Sequence, residues 1–348
     1  KNQINLLFND TNESSESDFY PYRYLASEGF LPGYNFPKLP VRAFIQSKFG
    51  DGEFIARPRF LAISEYGPRN VVYHEGKKFR VSKSYIPSGR TEDLFHYVKI
   101  CNQCGYIHEG EQKDFDICTN CNTDLNGQTA TVITKMFRMT NVSTFQVEKI
   151  TSDEEERLRE GYSITTHYKF PPDSNEAKKV KAQVVNNSGK PIIDLTFISS
   201  TQLFKINHGF KRSEGNGFAL DISNGIWSKN DEQDNAETID DNSQNIHRHI
   251  SIFVNDTKNI ILIHPSDPRL LNEEILSSFE YAFLRGIQEY FQVEEKELAA
   301  ERIGLGSNRR IMIYEASEGG LGILFRLIKE PDVIQEIAKK ALDIIHYS

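Results

Sequence analysis

YVKICNQCGYIHEGEQKDFDICTNCNTDL, residues 97–125, contains all four cysteines of the 348-residue chain. They fall as Cys101-x2-Cys104 and Cys118-x2-Cys121, with 13 residues between the pairs. Each pair is short enough to close on one ion as a turn, and the spacer lets two such knuckles face each other. Four thiolates in that arrangement make a closed tetrahedral site, the pattern of structural zinc. Gly105 suits the tight turn after the first pair, and Asn120 and Asn122 tolerate turn conformations around Cys121. Two disulfides would need an oxidising compartment, and a redox C-x-x-C needs only one pair. An iron–sulfur cluster on four thiolates stays open. With four cysteines present there is no free coordination position for catalysis, and His108 is expected at the surface.

Upstream of the ribbon the pattern is short strands: 41–46, 59–63, 70–74 and 78–81, with Glu75-Gly76-Lys77 as a hairpin turn. Downstream, strands are expected at 129–139, 144–149, 163–170, 179–186, 192–199, 202–207 and 218–222. Residues 246–254 and 259–264 read as a hairpin around Asn255-Asp256-Thr257-Lys258. Residues 151–161 open with a helix N-terminal signature. The end of the chain is helical. Asn272 caps a helix whose Ile275, Leu276, Phe279, Phe283, Ile287 and Phe291 keep the 3.6 period. A strand at 310–314, a glycine turn at 319–322 and one or two helices over 323–347 follow. The glycines before that last helical region allow a sharp turn, or an anion at the helix N-terminus.

The net charge is -8, which excludes a surface that coats nucleic acid throughout. The charge is unevenly placed: 38–99 carries 12 Lys and Arg against 6 Asp and Glu, whereas 227–245 carries one Lys against six acids. No apolar run reaches the ~20 residues of a membrane span, and the first ten residues lack signal-peptide features. A cytoplasmic protein with no membrane partner is expected. The chain begins at Lys1 and is expected to be a piece of a longer or processed product. No phosphate-cradling G-x-x-x-x-G-K-[ST], G-x-S-x-G or H-E-x-x-H occurs. Asp153-Glu154-Glu155-Glu156 reads as the first turn of a solvated helix. His247-x-His249 reads as an exposed or core-edge pair on one strand face.

The positive hint of function is basic and aromatic. Arg57, Arg59, Arg69, Lys77, Lys78, Arg80 and Lys83 alternate with Tyr66, Tyr73, Phe79 and Tyr85. Cations neutralise phosphates and aromatic faces stack bases, although a half-buried sheet with a charged outer face gives the same pattern.

Several stretches also resemble a known family. Residues 22–40 (YRYLASEGFLPGYNFPKLP), 57–76 (RPRFLAISEYGPRNVVYHEG) and 151–170 (TSDEEERLREGYSITTHYKF) resemble the region after the motor of large superfamily 2 DEAD/DEAH-box helicases. Residues 280–297 and 311–345 carry Tyr314-Glu315-Ala316-Ser317-Glu318-Gly319-Gly320-Leu321-Gly322. They resemble the C-terminal zinc-binding domain, formerly of unknown function, of the mitomycin-repair-helicase type. Relatives include the helicase subunit of the DISARM anti-phage system. The resemblance implies an accessory, DNA-contacting part of an ATP-dependent helicase or translocase in anti-phage defence or DNA repair. It carries the ribbon ligands over as Cys101, Cys104, Cys118 and Cys121. It implies DNA, single- or double-stranded, and helicase motor domains in cis or a partner subunit as partners. Members often carry another cysteine cluster after the last helix, which this sequence lacks.

The expected architecture is α+β. It comprises a linker at 1–18, a small β-rich, barrel-like domain at 19–96, the zinc ribbon at 97–128, and an α+β part at 129–348 with an acidic loop at 228–245. The alternative function is a docking scaffold, built on the aromatic loop 20–37 and the ribbon, for a motor or partner subunit. No residue is assigned a catalytic role.

Overall fold

A computed structural model describes residues 22, 25, 38–46, 52–87, 91–149, 161–170, 179–213, 216–228, 245–317 and 320–345. The linker, most of the aromatic loop, the helix at 151–161 and the acidic loop lie outside the described residues. The N-terminal strands are β1 (Val41–Ile45), β2 (Glu53–Arg57), β3 (Val71–His74) and β4 (Lys77–Ser84), with helix α1 (Arg59–Glu65) before β3. The ribbon contains β5 (Phe95–Cys101) and β6 (Ile107–Glu109). It is followed by β7 (Ala130–Arg138), β8 (Val142–Lys149), β9 (Tyr162–Lys169), β10 (Lys179–Val185) and β11 (Pro191–Phe210). Then come β12 (Phe218–Asp221), β13 (Ile226–Ser228) and β14 (Ile246–Pro265), helix α2 (Glu273–Phe291), β15 (Leu298–Ile303), β16 (Arg310–Glu315), and helices α3 (Ile323–Lys329) and α4 (Val333–Ile344).

All strands join one curled sheet, so the α+β, β-rich class holds. Its axis is the antiparallel pair β11 and β14, each 20 residues long. On its free edge β11 pairs with β10 along one half and β9 along the other. Strand β14 pairs with β12 and β7 through its first half and with β16 through its second. Side chains alternate across a strand, so this pair feeds different cores. Leu195, Phe197, Ile261 and Ile263 pack under α2, α3 and α4 with Phe283, Ile287, Leu324 and Ile337. Ile198, Ile260, Leu262, Met312 and Tyr314 face the other way, onto the cysteine ribbon. The helices and the ribbon therefore clasp the same stretch of sheet from opposite sides.

Three expectations are corrected. Residues 59–63 are helical, not a strand. The buried positions Ala62, Ile63 and Tyr66 sit at helical spacing, and Leu61 and Ala62 donate to Pro58 O. Asn70 Nδ2 donates to the exposed carbonyls of Ser64 and Glu65. A short apolar run leaves helix and strand undecided on periodicity alone. Residues 246–264 form no hairpin; they run straight through β14. Each turn-like polar residue finds a distant partner: Lys38 Nζ donates to Asn255 O, Lys258 pairs with Asp256, and Lys258 Nζ donates to Ala316 O and Ser317 O. Likewise 192–199 and 202–207 are one strand. A bulge sits at Ser200 (φ 54), whose N–H is taken by Asn259 Oδ1 at 3.2 Å.

Helix α2 starts as its cap residue dictates, with Asn272 Oδ1 accepting from Glu274 N–H at 2.8 Å. It meets α4 at Gly286, where an added Cβ would lie 2.7 Å from Ile337 O. Among the described residues no helix is long and apolar enough to cross a membrane. Forcing bulk into this helix contact is expected to cost about 1–3 kcal/mol. Gly286→Leu should therefore lower the urea midpoint clearly, while Gly127→Ala, which meets nothing within 4 Å, should leave it unchanged.

Candidate metal centre and nucleic-acid face

The two knuckles use the same backbone device. The residue after each second cysteine takes a left-handed conformation, Gly105 at φ 79 and Asn122 at φ 58. Each donates its N–H back to the first cysteine's carbonyl, Gly105 to Cys101 O at 2.8 Å and Asn122 to Cys118 O at 2.9 Å. Glycine and asparagine are the residues that enter this conformation most readily. The four sulfurs converge within 4.8 Å of one another, with Cys101–Cys121 at 3.6 Å and Cys104–Cys118 at 3.7 Å. A disulfide would bring sulfurs to about 2.05 Å, whereas Zn–S bonds of about 2.3 Å in a tetrahedron separate them by about 3.8 Å. The donor set fits zinc with no position left open.

The electrostatics lead to the same ion. The S–H groups of Cys104 and Cys118 pull the Cys101 thiol down to about 2. Cys104 is pushed up, first by Cys101, and Cys118 is pushed up to about 12, again first by Cys101. One thiolate in this cluster thus forbids the next, and a dication is what allows all four to ionise.

Three contacts fix the ribbon to the sheet. Leu305 N–H donates to Gln103 O at 3.1 Å from the β15–β16 turn. Gly304 leaves room for that approach, since a Cβ there would lie 2.7 Å from Gln103 O. Asn120 Nδ2 donates to the buried Tyr168 hydroxyl at 3.0 Å. The third contact is a chain of side chains. His167 Nδ1 lies 3.2 Å from Gly105 O, a pure acceptor, so it carries the proton. His167 Nε2 then accepts from Thr165 Oγ1 at 2.9 Å, and Thr165 accepts from His208 Nε2 at 2.8 Å. His208 Nδ1 faces Ser251 Oγ at 3.5 Å. Every member of this chain is satisfied when both imidazoles are neutral. Burial accordingly pushes His167 down to about 4 and lowers His208.

His108 is buried, not at the surface. Its Nδ1 faces Lys99 O at 3.2 Å and its Nε2 accepts from Thr119 N–H at 3.4 Å, so the ring ties β5 to the second knuckle. His249 takes φ 58 at a bulge and faces Asn216 O, which breaks the alternation expected of His247 and His249. The glycines at 320 and 322 frame a different anion. Glu315 is fully buried at the start of α3, where Oε1 accepts from Leu324 N–H and Oε2 from Asn259 Nδ2. A side chain at Gly320 would strike that carboxylate. Another convergent donor set among the described residues, Glu53, His74 and Glu75, sits at the hairpin tip, where His74 Nε2 and Glu53 Oε1 are already hydrogen-bonded to each other.

The basic stretch is only partly assembled. Arg57 pairs with Glu65, Arg59 donates to Leu39 O, Arg69 occupies a left-handed turn position at φ 67, and Lys78 is buried. Tyr66 and Phe79 belong to the core. Lys77 and Lys83 are exposed on β4, and Arg80 lies between them opposite Phe145. Sequence reasoning missed Arg42, Phe44, Phe54 and Phe145. Alternation in 41–45 was the available signal: Val41, Ala43 and Ile45 are buried, which turns Arg42 and Phe44 outward.

Residues 279–347 match the model of the MrfA Zn-binding domain. This segment runs from within α2 to just past α4, and its similarity is to a domain of the mitomycin-repair-helicase type. A solved structure similar to the chain is the crystal structure of the DUF1998 helicase MrfA bound to DNA, at 12% identity and TM-score 0.38, covering 86% of this chain and 29% of that one. The chain thus spans less than a third of that helicase. A search of curated proteins returned no match. The description of that family and the buried sulfurs of 101–121 both fit structural zinc, although the matched segment 279–347 itself contains no cysteine.

Purified protein should contain one zinc per chain by atomic emission. Cys104→Ser should lose it and unfold far more easily, since structural zinc in finger peptides supplies roughly 10–16 kcal/mol. Acid should release the metal as the thiolates take protons. A second effect belongs to the histidine chain. An unfolded histidine protonates near about 6.5, whereas folded His167 does so only near about 4. Its contribution to stability is therefore full above the unfolded value and is lost as pH falls toward the folded one. His167→Gln should flatten the urea midpoint against pH in that window.

Proposed function

We propose that the chain is a non-catalytic, DNA-binding accessory module of an ATP-dependent DNA helicase or translocase. It would serve anti-phage defence, as in DISARM-type systems, or DNA repair, in the bacterial cytoplasm. The observation that carries this reading is the outward face of the N-terminal sheet, where cations stand clear of acids. Among the described residues no acid pairs with Arg42, Lys77, Arg80 or Lys83, even though the chain as a whole is acidic. The match of 279–347 to a helicase-associated family supports the same setting. Zinc supplies geometry here: it fixes the ribbon, and the ribbon fixes one side of the sheet.

A second reading, a docking scaffold for the motor or a partner subunit, is favoured by an apolar groove of about 670 Å³ between α2 and α4. Ile275, Phe279, Ala282, Leu342 and Ile345 line it.

DNA affinity measured against salt separates the two. The DNA reading expects log Kd to change linearly with log salt, with the slope set by the number of phosphates neutralised. Lys77→Glu with Arg80→Glu should weaken binding at least tenfold and leave capture of the separately expressed motor unchanged. Salt-independent or absent DNA binding would sink this reading.

A further inference from the structure

We infer that the outward face of the N-terminal sheet takes an unpaired nucleic-acid strand, its bases stacking on Phe54, Phe44 and Phe145 and its phosphates meeting Arg42 and Arg80. This rests on the DNA-binding reading above and names the form of its ligand. The strands β2, β1, β8 and β4 are consecutive in the sheet. Ala43 pairs with Val142 and both are buried, so their neighbours Phe44 and Ser143 face outward together. Phe145, two residues beyond Ser143, returns to that outer face. Phe54 pairs with Phe44, their rings 5.1 Å apart and tilted by 55°. Arg80 pairs with Phe145, and Arg42 precedes Phe44 by two positions on the same face. With strands about 4.8 Å apart, the three rings form an oblique row across three strands, about 10 Å wide.

The outer two rings are exposed, and the half-buried middle ring is held in place. Phe54 and Phe145 keep 44% and 43% of their surface open to solvent. Phe44 is seated by Gly52, where even a Cβ would lie 2.5 Å from the ring. Phenyl rings offer no hydrogen bond, so they read no base edge, but each offers a flat face that any base can stack on. In a duplex those base faces are already stacked on one another, and only phosphates and groove edges reach a flat sheet. Arg42 flanks Phe44 two residues back on β1 and Arg80 flanks Phe145 on the next strand, and among the described residues neither has an acidic partner. Cations flanking a row of flat apolar faces complement a strand whose bases stack while its phosphates run alongside. The nearby acid at the edge of the row, Glu53, is paired with His74.

The test uses the whole zinc-loaded chain, a fluorescent oligothymidylate and a blunt duplex of the same length, read by anisotropy. Wild type should bind the single strand more tightly than the duplex. Phe145→Leu and Phe54→Leu keep apolar bulk but remove the π face. Each should weaken single-strand binding by roughly five- to a hundredfold while the salt slope stays the same. Phe145→Tyr should restore binding. Arg42→Gln and Arg80→Gln should each reduce the salt slope by about 1. Unchanged melting temperature and zinc content certify that each variant is folded. Equal binding of strand and duplex, with leucine variants that bind like wild type, overturns the stacking face and leaves the DNA reading standing. Binding of neither nucleic acid overturns both.

Discussion

The pairing of β11 with β14 is the constraint on which the rest of this molecule depends. Two strands of 20 residues run antiparallel, each extending about 66 Å at 3.3 Å per residue. Five other strands pair directly with one of them, and the remaining strands attach through those. Because alternate residues point to opposite faces, one ladder supports several cores at once: the helices on one side, the ribbon on the other, and the N-terminal strands beyond. At the bulge Asn259 answers the Ser200 N–H and passes a second hydrogen bond to Glu315, which ties the irregularity in this long ladder to the neighbouring strand.

Zinc acts on this frame as a local cross-link. The ribbon is thin, and its knuckles have little apolar surface of their own. Four metal–sulfur bonds supply what such a segment cannot bury. The ion's influence reaches further through directional contacts than through packing alone. Gly105 offers its N–H to the first knuckle and its carbonyl to His167, so one residue couples the metal turn to a hydrogen-bonded line ending at Ser251 on β14. Such polar networks specify a single arrangement when every member is satisfied.

How much was legible in the sequence depended on whether a residue's meaning was local. The cysteine spacing states its own chemistry, and the Asn272 cap and Gly76 in its hairpin turn behave as their residue types require. Meaning set by distant partners was hidden. Asn255, Asp256 and Lys258 look like a turn, yet they are held extended by Lys38 and by the carbonyls of Ala316 and Ser317. The basic stretch was legible as charge but not as surface. The parallel contact between β1 and β8 decides which aromatics face outward, and no local pattern encodes a pairing between residues about 100 positions apart. The glycines near residue 320 were read for their turn, but the carboxylate that fills the helix start came from five residues upstream.

The seat of the ribbon has a consequence for the order of events on the ribosome. Gln103 and its partner Leu305 are separated by some 200 residues, and Tyr168, Met312 and Tyr314 complete the wall against which the cysteines pack. During synthesis the knuckles emerge before the wall they pack against. Their platform becomes available only when the last strands of the sheet have been made. The contacts that seat the ribbon are long-range in sequence, the kind that are slow to form.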